Sequence, residues 1–267
     1  MYHVSQTDID TIETFLNSHY SVREFTAEDV PGDMLARIVR ISRRSPTSSN
    51  LQMCSVVTVR DENSKKRLSE LCGNQSHIMQ APVFFVFLAD LNPLASLCLS
   101  RGYPFKGEFL EPFVLATVDA ALCAGRALIG AQAIGLSGVL VGGIRDHPRE
   151  VAEHLELPEY CYAVCGMSVG HATKDGKVKP RLPDRGMWHH EKYRRDIFAP
   201  AAEEYDERIA QTDLYRNRRA PLPDGFEERG EAYSWSEHSA RRLSSDDPLT
   251  LRVSLRPFLE EIGFKFK

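Results

Sequence analysis

The chain has 267 residues, of which 42% are hydrophobic and 26% charged, and its formal net charge is −4. Such a length supports one large core or two modest ones, and the composition is that of a globular protein. The mild acidity excludes a general affinity for nucleic acid or an anionic membrane, so any anion site must be local. The six cysteines, Cys54, Cys72, Cys98, Cys123, Cys161 and Cys165, form no C-x-x-C pair. Neither a zinc cage nor a redox dithiol is indicated, and buried free thiols in a reducing compartment are expected. Residues 1–8 lack the basic region and apolar run of a signal peptide, which predicts a cytoplasmic protein.

In chain order, Ile9, Ile12, Phe15 and Leu16 stand at helical spacing over 8–18, with Asp8 placed to cap. Pro31 suits a helix first turn, and Met34, Leu35, Ile38, Val39 and Ile41 mark the buried face of a helix to about Arg44. The hydroxyl-rich run Ser45-Pro46-Thr47-Ser48-Ser49-Asn50-Leu51-Gln52 reads as a loop. Cys54–Arg60 is a predicted strand, Lys65–Leu71 a short helix, and Gly73-Asn74-Gln75 a turn. Pro82–Ala89 is apolar without interruption, as in a strand buried on both faces. Residues 90–112 have no clear period and read as an irregular insertion of the kind that forms lids or binding loops.

Phe113–Ile134 is apolar enough to raise a membrane span, but Asp119 and Arg126 interrupt it and small residues dominate, so a central helix of a globular core is predicted. Its alanines would admit a second helix closely, either internal or from a symmetry mate. Gly138–Val141 and Cys161–Val169 are predicted strands, and Pro148–Leu155 a helix. Beyond 183 the composition changes. Charged helices near 199–215 and 236–243 flank an Arg/Pro/Gly-rich segment, 216–230, which reads as an arm that wraps another subunit or covers a site.

Three separated segments carry groups suited to one anion: His19, Ser21 and Arg23; the hydroxyls of Thr47–Asn50; and Lys179 with Arg181, whose flanking prolines favour an extended pose. Taken singly, each has a plainer reading as a polar helix end, a loop or a solvated cation pair. Gly142 and Gly143 end a strand and would let a ligand approach the backbone closely, or simply form a strand-to-helix turn. No G-x-G-x-x-G opens a helix after a strand, which excludes a dinucleotide-binding fold of that type. His189 and His190 are adjacent, point apart and complete no metal site.

The collinear set S-H-Y-S-V-R-E-F, S-P-T-S-S-N-L-Q, G-N-Q-S-H, G-V-L-V-G-G-I-R, K-P-R-L-P and W-S-E-H resembles the flavin-dependent nitroreductase superfamily. It is most similar to the NADPH-dependent nitroreductase and flavin reductase branch with a long C-terminal arm, and the resemblance covers nearly the whole chain. It implies an α+β fold with a central mixed, largely antiparallel sheet flanked by helices. It also implies a homodimer with an FMN site at each subunit interface, residues 1–183 forming the FMN-binding core and 184–267 an arm that wraps the partner. By motif, His19, Ser21, Lys179 and Arg181 would hold the FMN phosphate, and Arg23 would reach the pyrimidine edge as an electrostatic stabiliser. Thr47, Ser48, Ser49, Asn50 and Gln75 would line the ring and ribityl chain, and Gly142 and Gly143 would offer backbone donors near O4 and N5. Arg216, Arg218 and Arg219 are the candidates to meet the 2′-phosphate of NADPH.

The implied activity is hydride transfer from NADPH through flavin N5 to a nitroaromatic, quinone or flavin acceptor by a ping-pong mechanism, with no protein acid or base and no metal. Another reaction of the same fold, such as reductive dehalogenation or a dedicated biosynthetic redox step, and a non-catalytic FMN-binding protein are the alternatives. The chain departs from the family pattern at Tyr20, where an arginine is usual near the phosphate, and in an insertion that follows Arg219.

Overall fold

Four strands, β1 (Cys54–Val59), β2 (Val83–Asp90), β3 (Ser137–Val141) and β4 (Cys161–Gly170), form one sheet in the order β1-β2-β4-β3. The computed structural model describes residues 5–216, 218–228, 230 and 233–267; residues 1–4, on which half of the reading of the N-terminus rests, lie outside them. All three strand pairings are antiparallel. The expected α+β class and antiparallel character are present, whereas no parallel pairing occurs among the described strands. The apolar run of β2 is buried on both faces because its alternate residues enter different cores. Val83, Phe85 and Phe87 pack in one cluster with Leu35, Ile38, Ala124 and Ala127. Phe84, Val86 and Leu88 pack in another with Leu68, Leu71, Ile144 and Val151. Gly166 of β4, opposite Val86, must lack a side chain: a Cβ there would lie 2.2 Å from the Phe84 ring.

The chain divides into two compact units, one made of the chain up to Gly176 with Arg252–Lys267, the other of Lys177–Leu251. In the first unit, α1 (Gln6–Asn17) is capped by Ser5, which exchanges hydrogen bonds with Asp8 in a capping box, so Asp8 supports the cap without being it. Helix α1 buries no residue, and Ile9, Ile12 and Leu16 are exposed. Helices α2 (Gly32–Ser42), α3 (Glu62–Leu71) and α4 (Ser76–Gln80) follow. The stretch read as an irregular insertion contains a helix, α5 (Asn92–Ser100), started by a proline in its first turn; it buries none of its residues, which is why no amphipathic period marks it.

Helix α6 (Leu110–Ala133) is long and apolar enough to cross a membrane by length and composition. Its small face, with Ala116, Ala120, Ala124, Ala127 and Ala131, is buried in the core, and Asp119 is buried with it. Its other face leaves Leu110, Val114, Val118 and Leu122 exposed at four-residue spacing. Helix α7 (Pro148–His154) completes the order before β4. The C-terminal segment joins this unit because Phe264 is fully buried and meets Phe113, Tyr160 and Tyr162 at ring separations of 5.3, 5.8 and 6.1 Å. The boundary expected at 183–184 therefore differs from the division between units, which leaves at Gly176 and returns at Arg252. All six cysteines are free, three of them buried and three partly so.

The second unit contains α8 (Phe198–Ala210), α9 (Trp235–Leu243) and the short α10 (Pro248–Leu251). Tyr205 packs edge-on against Trp235 with ring centroids 5.1 Å apart. The buried Arg241 anchors this unit: it donates to Glu237 at 2.6 Å and to both Glu228 oxygens at 2.9 and 2.7 Å, beneath the Tyr233 ring.

Candidate functional site

The His19–Arg23 stretch is held at the end of the sheet by backbone and by two apolar anchors. Val22 donates to the Gly138 carbonyl at 3.2 Å, Phe25 bridges Ala172, and Thr26 donates to His171 at 2.9 Å. Val22 and Phe25 are buried with Ala81, whereas Ser21, Arg23 and Glu24 are exposed. His19 shares a hydrogen bond of 3.2 Å with the Gln132 side chain at the end of α6. Tyr20, Ser21 and Arg23 line a cavity of about 170 Å³ whose other wall is Lys174, Asp175 and Gly176. The Tyr20 ring lies over Gly176, where a Cβ would come within 2.2 Å of it. Tyr20 thus fills, with an aromatic face, a place beside backbone rather than supplying a cation.

Gln75 and Gly143 meet. A Cβ on Gly143 would stand 2.5 Å from Gln75 Nε2 and 2.7 Å from the Cys72 carbonyl oxygen, so glycine is what allows the 142–145 turn to sit against the Gly73-Asn74-Gln75 turn. The Gln75 amide donates to the Cys72 carbonyl at 2.7 Å, and its oxygen faces His77 Nε2 at 3.0 Å. Beside Gly142, Arg252 donates to the Gly142 carbonyl at 3.3 Å and to Asp146 at 2.9 Å. Arg145 donates to the Val164 carbonyl.

The hydroxyl loop has a separate anchor. Asp119 of α6, 4% exposed, accepts from Thr47 Oγ1 at 2.5 Å and from the backbone N–H groups of Ser48 and Met53 at 3.2 Å each. Ser49, Asn50 and Gln52 take positive φ values of 50, 55 and 55°. Such backbone is tolerated in non-glycine residues where its surroundings hold it in place, and here the carboxylate does so. Ser49 and Asn50 stay exposed as a result.

In the second unit, Lys179 and Arg181 are exposed, on an extended segment fixed by a Tyr205 hydroxyl bond to the Pro180 carbonyl at 3.1 Å. Arg216 pairs with Asp213 at 3.1 Å, and Arg219 lies 5.2 Å from the centroid of the Tyr233 ring. Arg218 is exposed. Among the described residues no group of three or more potential metal ligands is present.

Two residues of this site carried no sequence assignment. Asp119 showed itself only as an acid within an apolar run, and a lone buried acid signals donors to satisfy without saying which. His77 lies in the G-N-Q-S-H motif, but nothing in the sequence places it inside the fold. It is 5% exposed, and burial, with the Arg23 guanidinium adding to it, pushes its imidazole down to about 4. The Arg23 charge thus opposes protonation of His77. A histidine neutral in the fold and free to charge when unfolded makes the unfolded state bind more protons between the two pKa values. Stability is thus expected to fall as pH drops from about 6.5 towards about 4, by roughly 3 kcal/mol in all. Urea titrations across that window test this, with His77→Gln, which cannot titrate there, showing the shallower loss.

These segments offer donors: the Gln75 amide N–H, the hydroxyls of the 47–50 loop and exposed cations. Such a set binds and polarises a ligand whose own chemistry does the work. It suits the flavin mononucleotide implied by the resemblance, since the Gly143 cradle keeps a hydrogen-bonding amide where a side chain would displace it. Fold and donor set together describe a ligand site on an antiparallel α+β scaffold.

Comparison with known proteins makes the class specific. Residues 16–171 match the nitroreductase family and residues 179–267 the nitroreductase family C-terminal domain. The chain belongs to the nitroreductase family. It is 35% identical to "FMN reductase [NAD(P)H]" of Bacillus subtilis over 94% of this chain and 96% of that one. It is 32% identical to "Oxygen-insensitive NADPH nitroreductase" of Salmonella typhimurium, over 94% and 95% of the two chains. The solved structure of B. megaterium NfrA2 superposes with a TM-score of 0.85 at 32% identity, over 96% of this chain and 98% of that one.

Proposed function

We propose that this chain is an FMN-dependent NAD(P)H oxidoreductase that passes electrons to nitroaromatic, quinone or flavin acceptors. The observation that carries the reading is the match of both parts of the chain to the nitroreductase family, with similar proteins named for FMN, NAD(P)H and nitro reduction. When bound, FMN supplies the N5 centre at which hydride from NADPH is taken up and from which electrons leave. The balance is one NADPH and one proton consumed per two-electron reduction of the acceptor, in two half-reactions that use the same face in turn, which is a ping-pong scheme.

The protein's part is positioning and charge. His19, Ser21, Lys179 and Arg181 hold the phosphate, and Tyr20 contributes an aromatic wall. Arg23 stabilises the negative charge that reduction places on the pyrimidine side, which raises the potential. Gln75, Gly142 and Gly143 fix the ring edge, and Thr47, Ser48, Ser49 and Asn50 line the ring and ribityl chain from one or the other subunit. Arg216, Arg218 and Arg219 meet the 2′-phosphate of NADPH.

The assembly is a homodimer in the cytoplasm, the arm 184–267 wrapping the partner. Support for the dimer comes from the exposed stripe Leu110, Val114, Val118 and Leu122 on α6, together with Ile9, Ile12 and Leu16 on α1. Apolar surface on this scale on two helices is of the kind that a second copy buries. Free cysteines throughout agree with a reducing compartment.

Titration of the flavin-free protein with FMN tests the assignment residue by residue. Arg181→Ala is expected to weaken FMN binding by about 10-fold, the loss of one charge-assisted contact, with the melting temperature unchanged. Equal affinity in the variant removes Arg181 from the site.

A further inference from the structure

We infer that His77 is a positioning residue, which as the Nε2–H tautomer turns the Gln75 amide so that it can present only an N–H donor to the bound flavin. The inference rests on the FMN reading above and adds to it the sense of one contact and the group that sets it.

The hydrogen bonds leave one consistent assignment. The Cys72 carbonyl can only accept, so the end of the Gln75 amide 2.7 Å from it is the nitrogen. The amide oxygen then faces His77 Nε2 at 3.0 Å and can only accept, so Nε2 carries the hydrogen. With the ring neutral, Nδ1 is an acceptor and takes the hydroxyl hydrogen of Ser168, 3.0 Å away. Ser168 is fully buried and His77 nearly so, so water does not compete for either partner. The Gln75 backbone is pinned as well, its carbonyl accepting from Ser69 Oγ at 2.9 Å and from the Ile78 N–H at 3.0 Å.

The chain Ser168–His77–Gln75 therefore runs from inside β4 to the edge of the Gly143 turn. Of the two hydrogens on Gln75 Nε2, Cys72 takes one and no other described residue takes the second, which is left for the ligand that the FMN reading places beside it. The atom it meets must be an acceptor, one of the flavin carbonyl oxygens or an unprotonated ring nitrogen, and not the ring N–H. Turning the amide over would set two acceptors against each other at Cys72 and, with His77 in the Nε2–H tautomer, two donors at His77, so the direction is set before the ligand arrives. Arg23 contributes at a distance: its charge opposes protonation of His77.

Two measurements test this. Long-range proton–nitrogen correlation NMR on the flavin-free protein at pH 7 is expected to show His77 as the neutral Nε2–H tautomer; the Nδ1–H tautomer overturns the inference whatever the protein binds. FMN dissociation constants are then measured for wild type, His77→Leu, Gln75→Ala and the double variant. His77→Leu alone is expected to weaken FMN by about 10-fold. In the Gln75→Ala background it should change little, because its effect passes through Gln75. Wild-type affinity in His77→Leu, or its full loss repeated in the Gln75→Ala background, overturns the inference. If His77→Leu does not fold, Ser168→Ala replaces it: release of Nδ1 should mix the tautomers and weaken FMN several-fold, and an unchanged tautomer with unchanged affinity counts against the lock. A wild-type protein that binds no FMN defeats the functional reading and leaves the tautomer result to decide the position of Gln75.

Discussion

Gly143→Ala is expected to bind FMN at least 10-fold more weakly than wild type and to melt about 3–10 °C lower, the range that follows from overpacking a buried site. The cause is local. The added methyl would lie 2.5 Å from Gln75 Nε2, 2.7 Å from the Cys72 carbonyl oxygen and 3.1 Å from Asp146 Oδ2. The Gln75 side chain could swing aside, but only by giving up its bonds to Cys72 and His77. The Cys72 carbonyl is backbone and moves only with the turn. The neighbouring Gly142→Ala is the control, since its nearest contacts, Arg145 Nη2 at 3.5 Å and Arg252 Nη2 at 3.9 Å, are ordinary ones. It should keep the wild-type melting temperature within about 2 °C. Equal FMN affinity in both glycine variants would mean that the Gly143 cradle is no part of the cofactor site.

Asp119→Ala is expected to cost about 3–5 kcal/mol and to lower the melting temperature by roughly 6–15 °C. One carboxylate accepts from Thr47 Oγ1, the Ser48 N–H and the Met53 N–H, and Thr47 Oγ1 in turn accepts from Gln52 at 2.8 Å. Removal of the acid leaves buried donors without acceptors and frees a loop that holds three residues at positive φ. Asp119→Asn should fall between, because its amide oxygen can still accept while its NH₂ faces a donor. Protease cleavage within 45–52 should appear in Asp119→Ala before the rest of the chain is cut. A variant that melts within 2 °C of wild type, with the loop uncut, would show that the loop is held by something else.

How much of this was legible in the sequence depends on how local each cause is. The strand at Val83–Asp90 was plain because burial on both faces demands an unbroken apolar run. The helix Asn92–Ser100 was not, since it buries none of its residues and so leaves no period to read. Capping by Ser5 with Asp8 is within the reach of sequence rules, and the difference lay only in which residue starts the helix. The return of Phe264 into the core is a long-range event with no local signature. In the site, residue types and order marked Ser21, Arg23 and Gly143, and the family resemblance gave them roles and added Gln75. Their supports, Asp119 and His77, act through contacts 72 and 2 residues away in sequence. The second was close by in the chain, yet only burial reveals that its ring is neutral and directional.

The central claim is that NAD(P)H reduces an FMN held by this protein and that the reduced protein then passes the electrons on. The direct measurement is the visible spectrum of the FMN-loaded protein under anaerobic conditions, first with NADPH alone and then with a nitroaromatic or quinone. Loss of the flavin absorbance is expected on the first addition and its return on the second, without both substrates present together. A flavin that stays oxidised under excess NADPH and NADH, or that bleaches only when the acceptor is already bound, would contradict the claim.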